Sequence, residues 1–251
     1  NETDPPNVVG STVPTKALNP LLSPIVSTTY EVGIKGVTGT EDEFVRTLQY
    51  DVAAYYISVM NDIVPYNSGA FFTTVGESRR MGVEFGGMAT SDMGLTLAVS
   101  TTFMSTEYVD YVIDSGYIDT SFAGKSVSYA GNEQSGIPSF NATVRLRYDV
   151  PDIDGLYAEI ESRTMSSYFA DDANTIVVEG WSTLSAAVGA TIPIISDHLS
   201  LSVLARVDNL ANTSYMASAW INPDRTAGGT PYIESGLPRN FIGTVGIRYT
   251  P

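Results

Sequence analysis

Apolar and polar residues alternate along several segments of the chain, most plainly in two segments near its C-terminal end. In residues 199–210, the odd positions from Leu199 to Val207 are apolar and the even ones are mostly polar, with Leu204 as the exception. In residues 239–249, the positions from Phe241 to Tyr249 alternate with polar residues and glycine, with Ile242 as the exception. Successive side chains of a β-strand point to opposite faces, so both segments predict strands with one apolar and one polar face.

The same alternation recurs along the rest of the chain. It predicts seven further strands, at about 27–37, 44–64, a segment ending near 86, 95–103, 140–149, 156–163 and 183–192. Many of the nine segments have about ten residues, the length at which a tilted strand crosses a bilayer. A soluble sheet with one wet face shows the same alternation, but its strands are usually shorter. The pattern therefore favours an all-β, antiparallel transmembrane β-barrel.

The predicted connections alternate in length. Short turns are expected near 38–43, 91–93, 151–155 and 195–198, and the other connections, most of them long, lie near 65–70, 108–136, 170–180 and 211–238. Outer-membrane barrels have short periplasmic turns and longer extracellular loops. If the last strand ends at the periplasmic rim, every short turn lies on the periplasmic side.

Charged residues of the predicted strands keep to the polar face. A Lys or Arg that faced lipid at the midplane of the bilayer would cost about 2–4 kcal/mol, so this face is expected to line a wet interior. The predicted lumen-lining charges are Arg145, Arg147, Glu159, Glu161, Arg163, Arg206, Asp208 and Arg248. Five of them, from Arg145 to Arg163, either line a substrate path, hold a plug, or form a salt network that keeps the wall soluble, and we prefer the network.

Composition narrows the class of protein. The chain has 251 residues, a net charge of −15, no cysteine, one histidine, 15 tyrosines and 22 glycines. The acidic balance argues against a nucleic-acid partner, and the absence of cysteine excludes a disulfide framework. No run of eighteen apolar residues is seen, so no transmembrane helix is expected. No secretory signal is seen either, so if the protein is exported we expect a mature or excised sequence. The tyrosines and glycines suit a barrel with aromatic girdles.

Several short motifs resemble the C-terminal barrel half of TonB-dependent outer-membrane receptors. They are the segments 22–24 (LSP), 30–36 (YEVGIKG), 80–84 (RMGVE), 136–139 (GIPS), 207–210 (VDNL) with Tyr215, and 236–241 (GLPRNF). Their order and spacing extend over nearly the whole chain. The resemblance implies about nine C-terminal strands of a larger barrel of about 22 strands with a plug inside it. It further implies TonB-driven import of a scarce nutrient such as a ferric siderophore, haem or cobalamin.

The resemblance covers only the final portion of such a receptor. Residues 1–23 are expected to be loop or coil and residues 24–251 barrel, with no segment that resembles a plug or the box that TonB binds. A nine-stranded sheet would leave two open edges, which lipid does not tolerate. The expected partners are therefore the remaining barrel strands and plug, TonB through that plug, and outer-membrane lipid and lipopolysaccharide. The family commonly ends on an aromatic residue, whereas Tyr249 is followed here by Thr250 and Pro251.

The long loops carry the candidate ligand-binding residues. Aromatic and charged side chains on loops of a rigid scaffold commonly bind ligands, and the candidates are Tyr111, Tyr117, Tyr129, Trp220, Arg225 and Tyr232. Alternatively, these side chains pack on one another or belong to an interfacial aromatic belt. The acidic residues Asp171, Asp172 and Glu179 offer oxygen ligands for Ca²⁺, but their spacing matches no known calcium loop. A solvated acidic loop is therefore preferred, and no metal or cofactor is predicted.

Catalysis is not expected. His198 is the only imidazole, and we interpret it with Ser196 and Asp197 as part of a plain turn, since members of a catalytic triad must converge with distinct roles. The leading hypothesis is the barrel portion of an outer-membrane import receptor. The alternative is a structural or surface-interaction barrel in a larger assembly without active transport. A third class, an outer-membrane hydrolase, is disfavoured.

Overall fold

The computed structural model describes residues 23–39, 44–66, 71–114, 126–153, 155–195, 198–223 and 233–249. Nine strands form one antiparallel sheet, in the order β1-β2-β5-β6-β9-β10-β13-β14-β17. They are β1 Val26–Thr38, β2 Val45–Met60, β5 Glu77–Ser91, β6 Leu95–Asp110, β9 Phe140–Asp149, β10 Tyr157–Met165, β13 Trp181–Ile195, β14 Leu199–Asp208 and β17 Asn240–Tyr249. The nine predicted strands are confirmed, each paired with its neighbours along the chain.

Each long connection also contains a short two-stranded hairpin. The pairs are β3 Ile63–Tyr66 with β4 Phe71–Thr74, β7 Val112–Asp114 with β8 Ser126–Ser128, β11 Tyr168–Phe169 with β12 Val177–Val178, and β15 Met216–Ala219 with β16 Ile233–Ser235. We call these connections the first (61–76), second (111–139), third (166–180) and fourth (209–239) long loop. No helix long and apolar enough to cross a membrane occurs among the described residues.

Two predicted boundaries were wrong. The second strand was expected to continue to residue 64, but β2 ends at Met60, where Asn61 has a positive φ of 56°. The chain then enters the first long loop, which is longer than the break predicted at 65–70. The fourth strand was expected to give way to loop near residue 108, whereas β6 continues to Asp110. Ile63 and Val64 do lie in a strand, β3, but it belongs to the first long loop and not to the nine-stranded sheet.

The pairing register gives the sheet one apolar and one charged face. Residues directly opposite one another in an antiparallel pair point to the same side. One such row crosses six strands with apolar side chains throughout, and it consists of Leu97, Leu146, Ile160, Ala186, Val207 and Phe241. The next row, on the other face, contains Arg147, Glu159, Ala187 and Arg206. The predicted division into two faces is therefore confirmed for these rows, whereas the ion pair of Arg79 and Glu107, in β5 and β6, has the parity of the apolar face.

The apolar face is uncovered. Large side chains on it are strongly exposed: Val32, Ile34, Val83, Phe85, Val188, Val245 and Ile247 are each between 39% and 73% accessible. Water would not support so large an apolar surface, since soluble monomers rarely expose contiguous patches beyond a few hundred Å². The buried side chains of the described residues lie mostly elsewhere, in the long loops, where Tyr111, Val75, Val178 and Asp172 are the largest that are fully buried.

Cross-strand tyrosines cover glycines in the sheet. Gly36 lies opposite Tyr50, Gly82 opposite Tyr55, and Gly189 opposite Tyr157. In each pair the ring lies where a Cβ of the glycine would be, so any larger residue would overlap it. Such packing of an aromatic ring over a glycine shapes the local twist and fixes the register. The high content of both residue types thus has a structural cause within the wall.

Candidate functional site

The charged face contains an ion network centred on Arg206. Its guanidinium donates to Oδ1 of Asp208 at 2.7 Å (Nε) and to Oε1 of Glu161 at 3.2 Å (Nη2), and lies 3.8 Å from Oε1 of Glu159. Glu161 also pairs with Arg163 at 2.9 Å. Because Glu161 is only 8% exposed, its carboxylate depends on these partners to offset the loss of water. The network bridges β10 and β14 across β13.

A second ion pair, between Arg147 and Asp149 of β9, lies on the same face. Arg147 donates from Nε to both carboxylate oxygens of Asp149 at 3.0 Å and from Nη2 to Oδ1 at 2.6 Å. Its guanidinium carbon is also 3.6 Å from the ring centroid of Tyr157, a cation–π geometry. By contrast, Arg145 and Arg248 are exposed and form no salt bridge with any described residue. The register thus places all eight predicted charges on one face. Six of them belong either to the network around Arg206 or to the pair of Arg147 and Asp149.

The long loops pack into two apolar clusters. The first cluster joins the first and second loops and contains Val64, Val75, Tyr108, Tyr111 and Ile113, with Val127 and Tyr129 against it. Tyr111 makes edge-on ring contacts with Tyr108 and Tyr129, at centroid distances of 4.8 and 5.3 Å. The second cluster joins the third and fourth loops and contains Tyr168, Ala170 and Val178, with Met165, Ile176, Met216 and Ala219 against it. Burial raises the pKa of Tyr168 above its ordinary value.

The two clusters meet at the buried carboxylate of Asp172. Tyr108 and Ser135 each donate a hydroxyl hydrogen bond to its Oδ1 at 2.6 Å, and Tyr111 donates to its Oδ2 at 2.9 Å. The amide of Asn222 donates to Oδ2 at 2.8 Å and accepts from the backbone N–H of Asp172 at 2.9 Å. Asp172 is completely buried, and these donors stabilise the carboxylate there. We call this arrangement the Asp172 joint.

The loops are attached to the charged face of the wall through Arg80. Its Nε donates to Oε1 of Gln134 at 2.7 Å and its Nη2 to Oδ2 of Asp62 at 3.3 Å. Asp62 also accepts from the hydroxyl of Ser78 at 2.7 Å, and the backbone N–H of Gln134 donates to Thr106. Arg80 has the same parity in β5 as Glu84, so the loops lie against the charged side of the sheet.

The solvated acidic loop predicted at residues 171–179 was wrong for two of its three residues. Asp171 is 3% exposed and accepts hydrogen bonds from the backbone N–H groups of Thr175 and Ile176 at 2.9 and 2.7 Å, which fixes the turn after it. Asp172 lies in the joint, while Glu179 is exposed. Among the described residues, no group of three or more His, Cys, Asp or Glu is arranged to hold a metal ion.

The six predicted ligand-contact residues lie in different environments. Tyr111 is completely buried in the first cluster, Tyr129 is half-buried beside it, and Trp220 is 52% exposed. Tyr117, Arg225 and Tyr232 lie outside the described residues, as do Ser196 and Asp197 beside His198, which is exposed in a turn. The alternative interpretation, mutual packing of the aromatic residues, describes Tyr111 and Tyr129, and the ligand-contact role stays a prediction.

Sequence reasoning missed the residues that organise the loops. Asn132, Gln134, Ser135 and Asn222 were not selected, although Asn132 donates to the carbonyl of Asp172 at 2.7 Å and Gln134 is 3% exposed. Asn222 has a positive φ of 47°, a conformation that asparagine adopts more readily than most residues. The segment 220–223, WINP, carries no periodicity that would have indicated a buried amide.

Comparison with known proteins agrees with this geometry. The family model for the TonB-dependent receptor-like β-barrel matches residues 3–210. The ferrichrome receptor FcuA of Yersinia enterocolitica is 27% identical over 164 residues, which make up 65% of this chain and 19% of that receptor.

Solved structures of receptors share the fold. The ferric yersiniabactin uptake receptor FyuA of Yersinia pestis matches with a TM-score of 0.62 at 18% identity, over 90% of this chain and 30% of that one. The ferric preacinetobactin receptor BauA of Acinetobacter baumannii matches with a TM-score of 0.61 at 18% identity, over 89% of this chain and 29% of that one. The chain thus spans less than a third of the length of each of these relatives.

The sheet with one lipid-compatible face and one charged face defines an outer-membrane β-barrel wall. Because the family model matches most of the chain, the chain belongs to the TonB-dependent receptor β-barrel family. Proteins of this family reside in the outer membrane of Gram-negative bacteria, which places the chain in that membrane.

Proposed function

We propose that this chain is the C-terminal barrel portion of a receptor that imports a ferric siderophore across the outer membrane. The observation that carries the proposal is the division of one continuous sheet into an uncovered apolar face and a charged face with ion networks. Lipid would cover the first face and the second would line the barrel interior. The similarity to a ferrichrome receptor supports a siderophore over haem or cobalamin as the cargo.

The rest of the receptor would complete the barrel. Among the described residues, no strand pairs with the outer edge of β1 or of β17, and in a bilayer the backbone N–H and C=O groups there would need further strands. A plug inside the barrel would contact the charged face, and TonB would act through that plug. The long loops would lie on the extracellular side and the short turns on the periplasmic side. Lipopolysaccharide would surround the outer rim.

Each predicted ligand residue then has a place in the proposal. Trp220 and Tyr129 would present aromatic surface to the chelate from the fourth and second loops, together with Tyr117, Arg225 and Tyr232. Tyr111 would contribute indirectly, because it is buried and its ring packs against those of Tyr108 and Tyr129 and holds them in position. Arg145 and Arg248 would remain available inside the barrel for carboxylates of the plug.

The test is uptake of radiolabelled iron by cells that produce the full-length receptor and lack their other siderophore receptors. We expect ferrichrome-type chelates to be imported in cells with TonB and not in cells without it. Haem and cobalamin serve as the competing cargoes. Binding without any uptake would reject the transport function and favour a structural or surface-interaction barrel. Uptake that does not depend on TonB would reject the TonB-driven step.

A further inference from the structure

The four long loops are connected in a closed ring of contacts. The first and second loops share the first apolar cluster, and the third and fourth share the second. Tyr111 and Ser135 of the second loop donate to Asp172 of the third. The ring closes where Nδ2 of Asn222, in the fourth loop, donates at 2.9 Å to the carbonyl of Pro65, in the first. Every loop therefore contacts two others.

The last contact bridges a large part of the sheet. Strands β5 and β14, which bound the first and fourth loops, are five steps apart in the strand order. At a spacing of about 4.8 Å per strand they would be roughly 24 Å apart in a flat sheet. Asn222 and Pro65 meet nevertheless, so the loops extend over the charged face instead of standing upright at the rim. Arg80 of the wall supports them from below, through Gln134 and Asp62.

The ring makes independent opening of one loop unfavourable. Moving the third loop alone would withdraw the Asp172 carboxylate from the hydroxyls of Tyr108 and Tyr111, which are buried, and would expose the second cluster. Buried donors without an acceptor lose the full benefit of hydrogen bonding without regaining water. Because the same carboxylate accepts from two loops and one strand end, breaking one interface weakens the others.

We propose that the four loops form one lid over the charged face, and that the Asp172 joint makes them open together. The lid comprises residues 61–66, 71–76, 111–114, 126–139, 166–180, 209–223 and 233–239. This inference rests on the proposed function only for the location of the lid, since an import receptor would place it between the external medium and the barrel interior. The coupling itself follows from the contacts.

Hydrogen exchange followed by mass spectrometry on the full-length receptor in lipid nanodiscs tests the coupling. Asp172→Ala removes the shared acceptor, and Ser135→Ala removes a single donor as a milder change. Glu179→Gln, an exposed acid in the same loop, is the matched control. We expect Asp172→Ala to accelerate exchange about tenfold in all four loops, including the first, which Asn222 connects to the joint, while the spanning strands keep their protection. Ser135→Ala should give the same pattern with a smaller amplitude.

Two outcomes overturn the lid. Acceleration confined to residues 166–180 would mean that the loops open independently, and equal effects of Asp172→Ala and Glu179→Gln would mean that the joint carries no coupling. Both outcomes can be measured without a bound ligand. TonB-dependent siderophore uptake with loops that exchange independently would reject the lid alone. Coordinated exchange in a receptor that imports no siderophore would reject the proposed cargo and leave the lid standing.

Discussion

The hydroxyl of Tyr108 donates a 2.6 Å hydrogen bond to Oδ1 of Asp172, 64 residues further along the chain. Tyr108 is at the end of β6, and Asp172 is in the third long loop, so this bond attaches a loop to a strand that is not its neighbour. Both residues are buried, at 2% and 0% exposure. The contact fixes where the third loop lies relative to the wall.

Replacing Tyr108 with Phe removes this bond and keeps the ring. Loss of one buried hydrogen bond to a carboxylate is expected to cost about 1–3 kcal/mol of local stability. The measurement is amide exchange in residues 166–180, which should accelerate correspondingly. Tyr30→Phe on the exposed apolar face is the control, since Tyr30 is 67% accessible. Unchanged exchange in Tyr108→Phe would contradict the role assigned to the bond.

A charge on the apolar face should be far more costly than one on the charged face. Val144 is 39% exposed near the middle of β9, and Thr143 is its neighbour on the other face. Val144→Arg is expected to lower the free energy of unfolding from lipid by about 2–4 kcal/mol, because lipid cannot solvate the guanidinium. Thr143→Arg should change it by less than about 1 kcal/mol. Denaturant titrations in lipid vesicles measure both, and equal costs would mean that Val144 does not face lipid.

The two arginines that pair with Glu161 should differ in their effects. Arg206 is 23% exposed and forms ion pairs with three carboxylates, whereas Arg163 is 60% exposed and forms an ion pair with one. Arg206→Gln should destabilise the barrel by about 3 kcal/mol, because carboxylates with little access to water lose their main partner. Arg163→Gln should cost less than about 1 kcal/mol, as exposed pairs do. Unfolding midpoints in detergent provide the comparison, and the reverse order would contradict the network.

The pairing of Gly189 with Tyr157 predicts a rescue. Gly189→Ala would force its methyl group into the tyrosine ring and displace the ring from Arg147, at a cost of about 1–3 kcal/mol in unfolding free energy. In a Tyr157→Ala background the same substitution should cost almost nothing, since the overlap is gone. Gly243→Ala, where no atom lies within 4 Å, is the matched control. An undiminished cost in the double variant would reject the proposed overlap.

The local alternation of apolar and polar residues was sufficient to predict the strands of the main sheet. The strand Phe140–Asp149 has strict alternation from Phe140 to Tyr148, and it lies where it was predicted. Alternation works here because a strand in a wall between lipid and a polar interior has the same requirement at every second residue. The boundary at Met60 was missed because Ile63 and Val64 also lie in a strand, β3, which is outside the main sheet. The boundary at Asp110 was missed because β6 continues beyond residue 108, where the loop was expected to begin.

The loops could not be predicted in the same way. Asp172 was seen as an acidic residue next to another, which indicates solvent exposure, yet it is completely buried. Its partners Tyr108, Ser135 and Asn222 lie 64, 37 and 50 residues away, at separations that follow no period. Nothing local distinguishes a buried asparagine in a tight turn from a solvated one.

The sequence alone therefore determined the two-faced wall, the nine strands of the main sheet and the alternation of short and long connections. These properties follow from contact of each residue with lipid or water, which depends on that residue and its parity. Only the tertiary structure decided that the loops extend over the charged face and meet at Asp172. Burial of a polar group depends on partners brought from distant parts of the chain, and one-dimensional spacing does not record which partners will meet.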